Sequence, residues 1–135
     1  MTPEEGLRYL RERFGLELPP HVRLLGSGRK LWAYSGEDLD PGRFVAGRGI
    51  PALRETNLGP KPTTYFALAF GGLARRNVVV IEDVRAFLSG ESFESRGEDG
   101  YVIVLGPRYP LGVALRRRGR LTPLVPGEMR EVLSL

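Results

Sequence analysis

Along the first fifteen residues the apolar positions recur at helical spacing, with Leu7, Leu10 and Phe14 at i, i+3 and i+7. Thr2 precedes Pro3, Glu4 and Glu5, so a threonine cap, a proline at the first helical position and a capping-box glutamate predict the start of a helix. Gly15 predicts its stop. Glu4 with Arg8, and Arg8 with Glu12, are i, i+4 pairs on the other face. Residues 22–25 and 31–34 then flank Gly26-Ser27-Gly28-Arg29, a pair of strands around a glycine turn whose spacing is not that of a phosphate-binding loop. Trp32 and Tyr34 lie two apart and share a strand face, with Trp32 expected in the core.

Residues 35–62 are rich in glycine, proline and charge, and read as turns with a strand at 43–46. The run 63–70 carries threonine, tyrosine and phenylalanine and predicts a strand broken by Gly71-Gly72. Val78-Val79-Val80-Ile81 has the unbroken apolar pattern of a strand buried on both faces. Glu82 and Asp83 open a short helix that carries Val84, Phe87 and Leu88 on one face and ends at Gly90. After an acidic loop at 91–99, strands at 101–105, 111–117 and 120–125 follow in close order, the last two joined through Arg118-Gly119. Such spacing predicts a small barrel or open sheet. A final helical turn is expected at 128–133. Charge and pattern both change near Leu73, which divides the chain into segments 1–73 and 74–135.

Composition narrows the chemistry. The chain of 135 residues is long enough for one domain or two very small ones. With no cysteine and a single histidine, His21, it has no thiolate nucleophile and no evident zinc set, so no metal and no cofactor is expected. His21 beside Pro19-Pro20 has no motif linking it to a serine, and no catalytic residue is assigned. Asp38 and Asp40 before Pro41-Gly42 make a common turn pattern, and a carboxylate-based hydrolase or nuclease built on them is the weakest alternative. No apolar stretch suits a bilayer and the start does not resemble a secretion signal, so a cytoplasmic location without membrane contact is expected.

A net charge of +4 is too small to decide function by itself, but its distribution is uneven. Residues 42–81 sum to +5, residues 82–99 to −4, and residues 100–127 hold five arginines and no acid. The bias to arginine over lysine is also what a GC-rich or thermophilic genome produces. Arg116, Arg117, Arg118 and Arg120 crowd one predicted hairpin tip, where the turn is expected to splay them outward as forks for phosphate oxygens. The alternative is a solvated turn paired with the acidic loop. Arg108-Tyr109 sets a base beside an aromatic ring that either stacks on a nucleobase or covers the barrel end. Lys61, Arg75 and Arg76 form a weaker basic patch.

The order of segments resembles archaeal stand-alone PUA-domain proteins. These are related to the RNA-binding domain attached to Nol/Nop/Sun RNA cytosine methyltransferases and to the Nip-type ribosome-biogenesis factor. The resemblance is carried by Lys61-Pro62-Thr63-Thr64, by 66–71 and 74–79, and by Phe87-Leu88-Ser89-Gly90-Glu91. It continues through 99–104, Leu111-Gly112, the basic hairpin and Val125-Pro126. It implies an α+β protein with an N-terminal pre-PUA α/β domain packed on a C-terminal PUA-like β-barrel. It also implies binding of structured ribosomal or transfer RNA, in company with an RNA-modifying enzyme or a ribosomal precursor, with Arg116, Arg117, Arg118 and Arg120 at the RNA-contacting positions. Two departures are Ala114 where these proteins often have glycine, and Gly127-Glu128-Met129-Arg130 in place of a basic tail. Methyltransfer itself does not carry over, because it needs a cysteine nucleophile. A non-catalytic RNA binder is the expected function, and an adaptor using the basic face on an acidic protein is its rival.

Overall fold

A computed structural model describes residues 1–35 and 49–127. The expected strand at 43–46, the final turn at 128–133 and the Asp38/Asp40 pair lie outside the described residues. The architecture is mixed, about a quarter helix and two fifths strand, and one sheet curls into a half-barrel.

Helix α1 spans Pro3–Phe14, with the Thr2 hydroxyl accepting from the Glu5 amide and Gly15 closing the helix at φ 57°. Its buried stripe is Gly6, Leu10 and Phe14, whereas Leu7 stays exposed. The expected stripe is thus rotated by one residue, for a steric reason: a Cβ on Gly6 would stand 2.5 Å from Leu31 Cδ1, so the helix approaches the sheet through its glycine. Strands β1 (Val22–Ser27), β2 (Lys30–Ser35), β3 (Gly49–Thr56) and β4 (Gly59–Pro62) form an antiparallel meander. Val22, Leu24, Leu31, Ala33, Ala52 and Leu53 supply its core side. Trp32 is half-buried on the face opposite Leu31 and Ala33, outside the core expected for it.

The segment read as a strand at 63–70 is helix α2, Thr64–Phe70. The Thr63 hydroxyl accepts from the Phe66 amide at 3.0 Å and also donates to the Pro51 carbonyl, so the threonine acts as a cap rather than as a strand residue. Phe66, Ala67 and Phe70 then fall on one face at helical spacing, and strand propensity yields to capping and burial. Thr63→Ala is expected to cost about 1–2 kcal/mol, read as a lower urea midpoint with an unchanged slope.

After a 3-10 turn at Gly71–Leu73 come β5 (Val78–Val80), α3 (Val84–Leu88), β6 (Phe93–Glu94), β7 (Gly100–Leu105), β8 (Pro110–Arg117) and β9 (Arg120–Pro123). They make a second sheet in the order β5-β7-β8-β9-β6, with β5 parallel to β7 and the other pairs antiparallel. The valine run is therefore an edge strand and not one buried on both faces. Val78 packs toward one core and Val79 toward the other, while Val80 is 64 % exposed. The predicted acidic loop also contains a strand, since Phe93 and Glu94 pair with Leu121 and Arg120.

One core joins Leu10, Phe14 and the meander to Phe66 and Ala67 of α2 and to Tyr101, Ile103 and Val113 of the second sheet. Side chains from both sides of position 73 thus share it. A second core lies across β7, β8 and β9 under α3, with Phe87, Val102, Val104, Ala114 and Leu121. Among the described residues no helix is long and apolar enough to cross a membrane.

Candidate nucleic-acid interface

Strands β8 and β9 meet in a two-residue turn, Arg118-Gly119, with φ of 48° and 78°. Two successive left-handed residues give the turn whose twist suits a tight hairpin, and glycine at the second makes it inexpensive. Arg117 pairs across the ladder with Arg120, and Arg117, Arg118 and Arg120 are all exposed. Asp99 anchors the turn through its backbone, accepting from the Arg118 amide at 3.0 Å. Among the described residues the ion pairs are Arg11 with Glu17 and Arg13 with Glu98, so no carboxylate occupies the three tip guanidiniums.

Arg116 does not splay outward with them. It is 5 % exposed, and strand alternation places it on the same face as Ala114, over the second core opposite Leu121. Its Nε and Nη2 donate to Ser95 Oγ at 3.2 and 2.9 Å, and its Nη1 reaches the Glu98 carbonyl and Asn77 Oδ1 at 3.4 and 3.5 Å. Burial pushes its pKa down, as does the charge of Arg13, against the pull of Asp99 and Glu98. Arg13 belongs to the same cluster: its Nε and Nη2 donate to the Tyr101 carbonyl at 3.1 and 2.9 Å and its Nη1 to Glu98 Oε2 at 3.2 Å. Asn77 completes it by donating to the Arg13 carbonyl at 2.8 Å. This polar node ties α1, the approach to β5, the acidic segment and β8 together. The sequence reading sent Arg116 outward with its neighbours; period-two alternation with Ala114, which packs in the second core, is the pattern that turns it inward.

No family model and no curated protein matches the chain.

Arg108 and Tyr109 are both exposed, Tyr109 by 63 %, beside a shallow cleft of about 190 Å³ that Val84, Pro107 and Leu111 also line. They precede Pro110 at the start of β8, whose 8 residues separate them from the tip by roughly 20–25 Å. The structure does not bring them to the arginine hairpin. Arg75 and Arg76 follow the 3-10 turn and close the C-terminal end of α1. Both amides donate to the Phe14 carbonyl, at 2.7 and 3.0 Å, and the Arg76 guanidinium donates to the Arg11 carbonyl. With Arg11 and Glu17 they line a cleft of about 430 Å³, but Arg76 is engaged in capping. Lys61 sits on β4 directly opposite Arg54 on β3, half-buried in a third cleft. Its pKa is lowered by burial and then by the charge of Arg54. Arg54 escaped the sequence reading because only the β3–β4 register sets it beside Lys61.

Among the described residues no group of three or more histidines and carboxylates is placed to share a metal ion, and His21 is exposed beside Pro20. What the tip can do chemically is present three permanently charged forks, each able to bind two oxygens of one phosphate.

Proposed function

We propose that this chain is a non-catalytic RNA-binding protein, a pre-PUA-like segment carried with a PUA-like half-barrel, that grips the backbone of structured ribosomal or transfer RNA. The observation that carries the reading is the hairpin tip. Arg117, Arg118 and Arg120 project from a tight turn, exposed and without a carboxylate partner among the described residues. Phosphate meets such a cluster of guanidiniums with charge-assisted bidentate hydrogen bonds. Such contacts position the protein without reading sequence, so selectivity comes from RNA shape and a few unstacked bases. The buried Arg13–Arg116 node holds the hairpin base against α1 and keeps the forks presented, which makes Arg116 a supporting residue. The partner would be an RNA-modifying enzyme or a ribosomal precursor that the bound RNA brings near.

The arginine side chains themselves report on this reading. In a titration with a hairpin RNA followed by Nε–Hε correlation NMR, the signals of Arg117, Arg118 and Arg120 are expected to shift together while Arg116 stays in place. Binding that leaves all three tip signals unmoved would remove the hairpin from the interface. Binding of an acidic protein at the same signals, with none of RNA, would make the chain an adaptor.

A further inference from the structure

Arg54 and Lys61 face each other across the β3–β4 ladder, an arrangement in which like charges repel. Among the described residues neither is paired with a carboxylate. The Lys61 ammonium is also half-buried, so it loses hydration while gaining no counter-ion. The cleft over this pair measures about 510 Å³, within the range of about 300–1,000 Å³ typical of sites for small organic ligands. Its apolar wall is Pro51 with the segment from Pro123 to Gly127, against which a sugar or base can lie. That segment is the direct continuation of β9, whose 4 residues run from Arg120 at the tip to Pro123 at the cleft, roughly 10 Å along the strand. Thr122 is exposed between them. Tip and cleft thus lie on one continuous path.

We propose that this cleft is a second phosphate-binding subsite, in which Arg54 and Lys61 hold the backbone of an unpaired RNA strand leading away from the hairpin tip. The proposal rests on the RNA-binding reading of the tip and extends it. A duplex is a convex rod whose phosphates meet exposed forks; a half-buried ammonium between prolines admits a flexible strand that can bend its phosphate inward. Backbone anchoring beside an aromatic ring is how single strands are held without sequence preference, and the exposed Tyr65 lines this cleft.

The chain has two lysines: Lys61 lines the cleft, and Lys30 on β2 stands opposite Arg54 from the other side. The probe is a uridine tetranucleotide, with inorganic phosphate for comparison, and the readout is the lysine ε-position in carbon–proton NMR. Lys61 is expected to shift saturably, and the Lys61 pKa to rise on binding because the phosphate favours the ammonium form. Inorganic phosphate is expected to bind at least about tenfold more weakly, lacking sugar and base contacts. Arg54→Gln, on an exposed side chain, is expected to weaken tetranucleotide binding by roughly tenfold. A silent Lys61, or inorganic phosphate binding as tightly as the tetranucleotide, overturns the subsite. If Lys61 is silent while the tip arginines respond to hairpin RNA, the subsite falls and the functional reading stands. If Lys61 responds and the tip does not, the functional reading falls and the cleft remains a site for nucleotide phosphate.

Discussion

Arg116→Ala is expected to lower the unfolding free energy by about 3 kcal/mol, whereas Arg117→Ala, one residue on, stays within about 0.5 kcal/mol of wild type. The difference follows from the direction in which strand alternation sends each side chain. Arg116 lies over the second core and donates to Ser95 Oγ, Asn77 Oδ1 and the Glu98 carbonyl. Truncation opens a cavity, removes a cation that screens Glu98 and Asp99, and leaves those acceptors without their donor. Arg117 is exposed and makes no described ion pair. Arg116→Lys recovers only part of the loss, because a single ammonium cannot reach the acceptors of Ser95, Glu98 and Asn77 together as a planar fork does. Urea titrations of the variants check this. Equal midpoints for Arg116→Ala and Arg117→Ala would mean that the buried node contributes nothing.

Helix α1 was legible because its boundaries are local chemistry: a capping threonine, a proline at the first turn and a glycine in the left-handed region. The strands β7, β8 and β9 emerge within a residue or two of their expected bounds, since hairpins announced by glycine turns carry their own register. Helix α2 was hidden because its residues favour strands one by one. What makes it helical is the Thr63 cap, together with a burial face that appears only once two sheets are there to receive Phe66 and Ala67. Likewise Gly6 replaces Leu7 in the core because of the closeness of Leu31, a residue 25 positions away.

The site divides in the same manner. That arginines crowd the β8–β9 tip is plain in the sequence, and so is the turn at Arg118-Gly119; which face of β8 is covered emerges only when Ser95, Asn77 and Glu98 close over Arg116. A turn at Arg118-Gly119 sets Arg117 opposite Arg120 and turns Arg116 inward. Arg108-Tyr109 looked close to the hairpin in the chain and lies at the far end of β8. Arg54 and Lys61, seven positions apart, become neighbours only through the turn between Thr56 and Gly59.

The functional counterpart of the Arg116 prediction is the triple variant Arg117→Ala/Arg118→Ala/Arg120→Ala, expected to keep wild-type stability and to lose roughly 100-fold in affinity for structured RNA near physiological salt. Each guanidinium lost is a phosphate left to its counterions, so the change appears in the ionic-strength dependence as well as in the affinity itself. Removing three phosphate contacts is expected to flatten the slope of log K against log salt by about 2–3, at somewhat under one unit per contact. A loss caused by unfolding or by a missing stacking contact would lower affinity with little change in slope. The deciding measurement is therefore the affinity of wild type and the triple variant for one labelled hairpin RNA across a salt series. The account predicts weaker binding with a flatter slope for a variant that remains folded; parallel lines of equal affinity would contradict it.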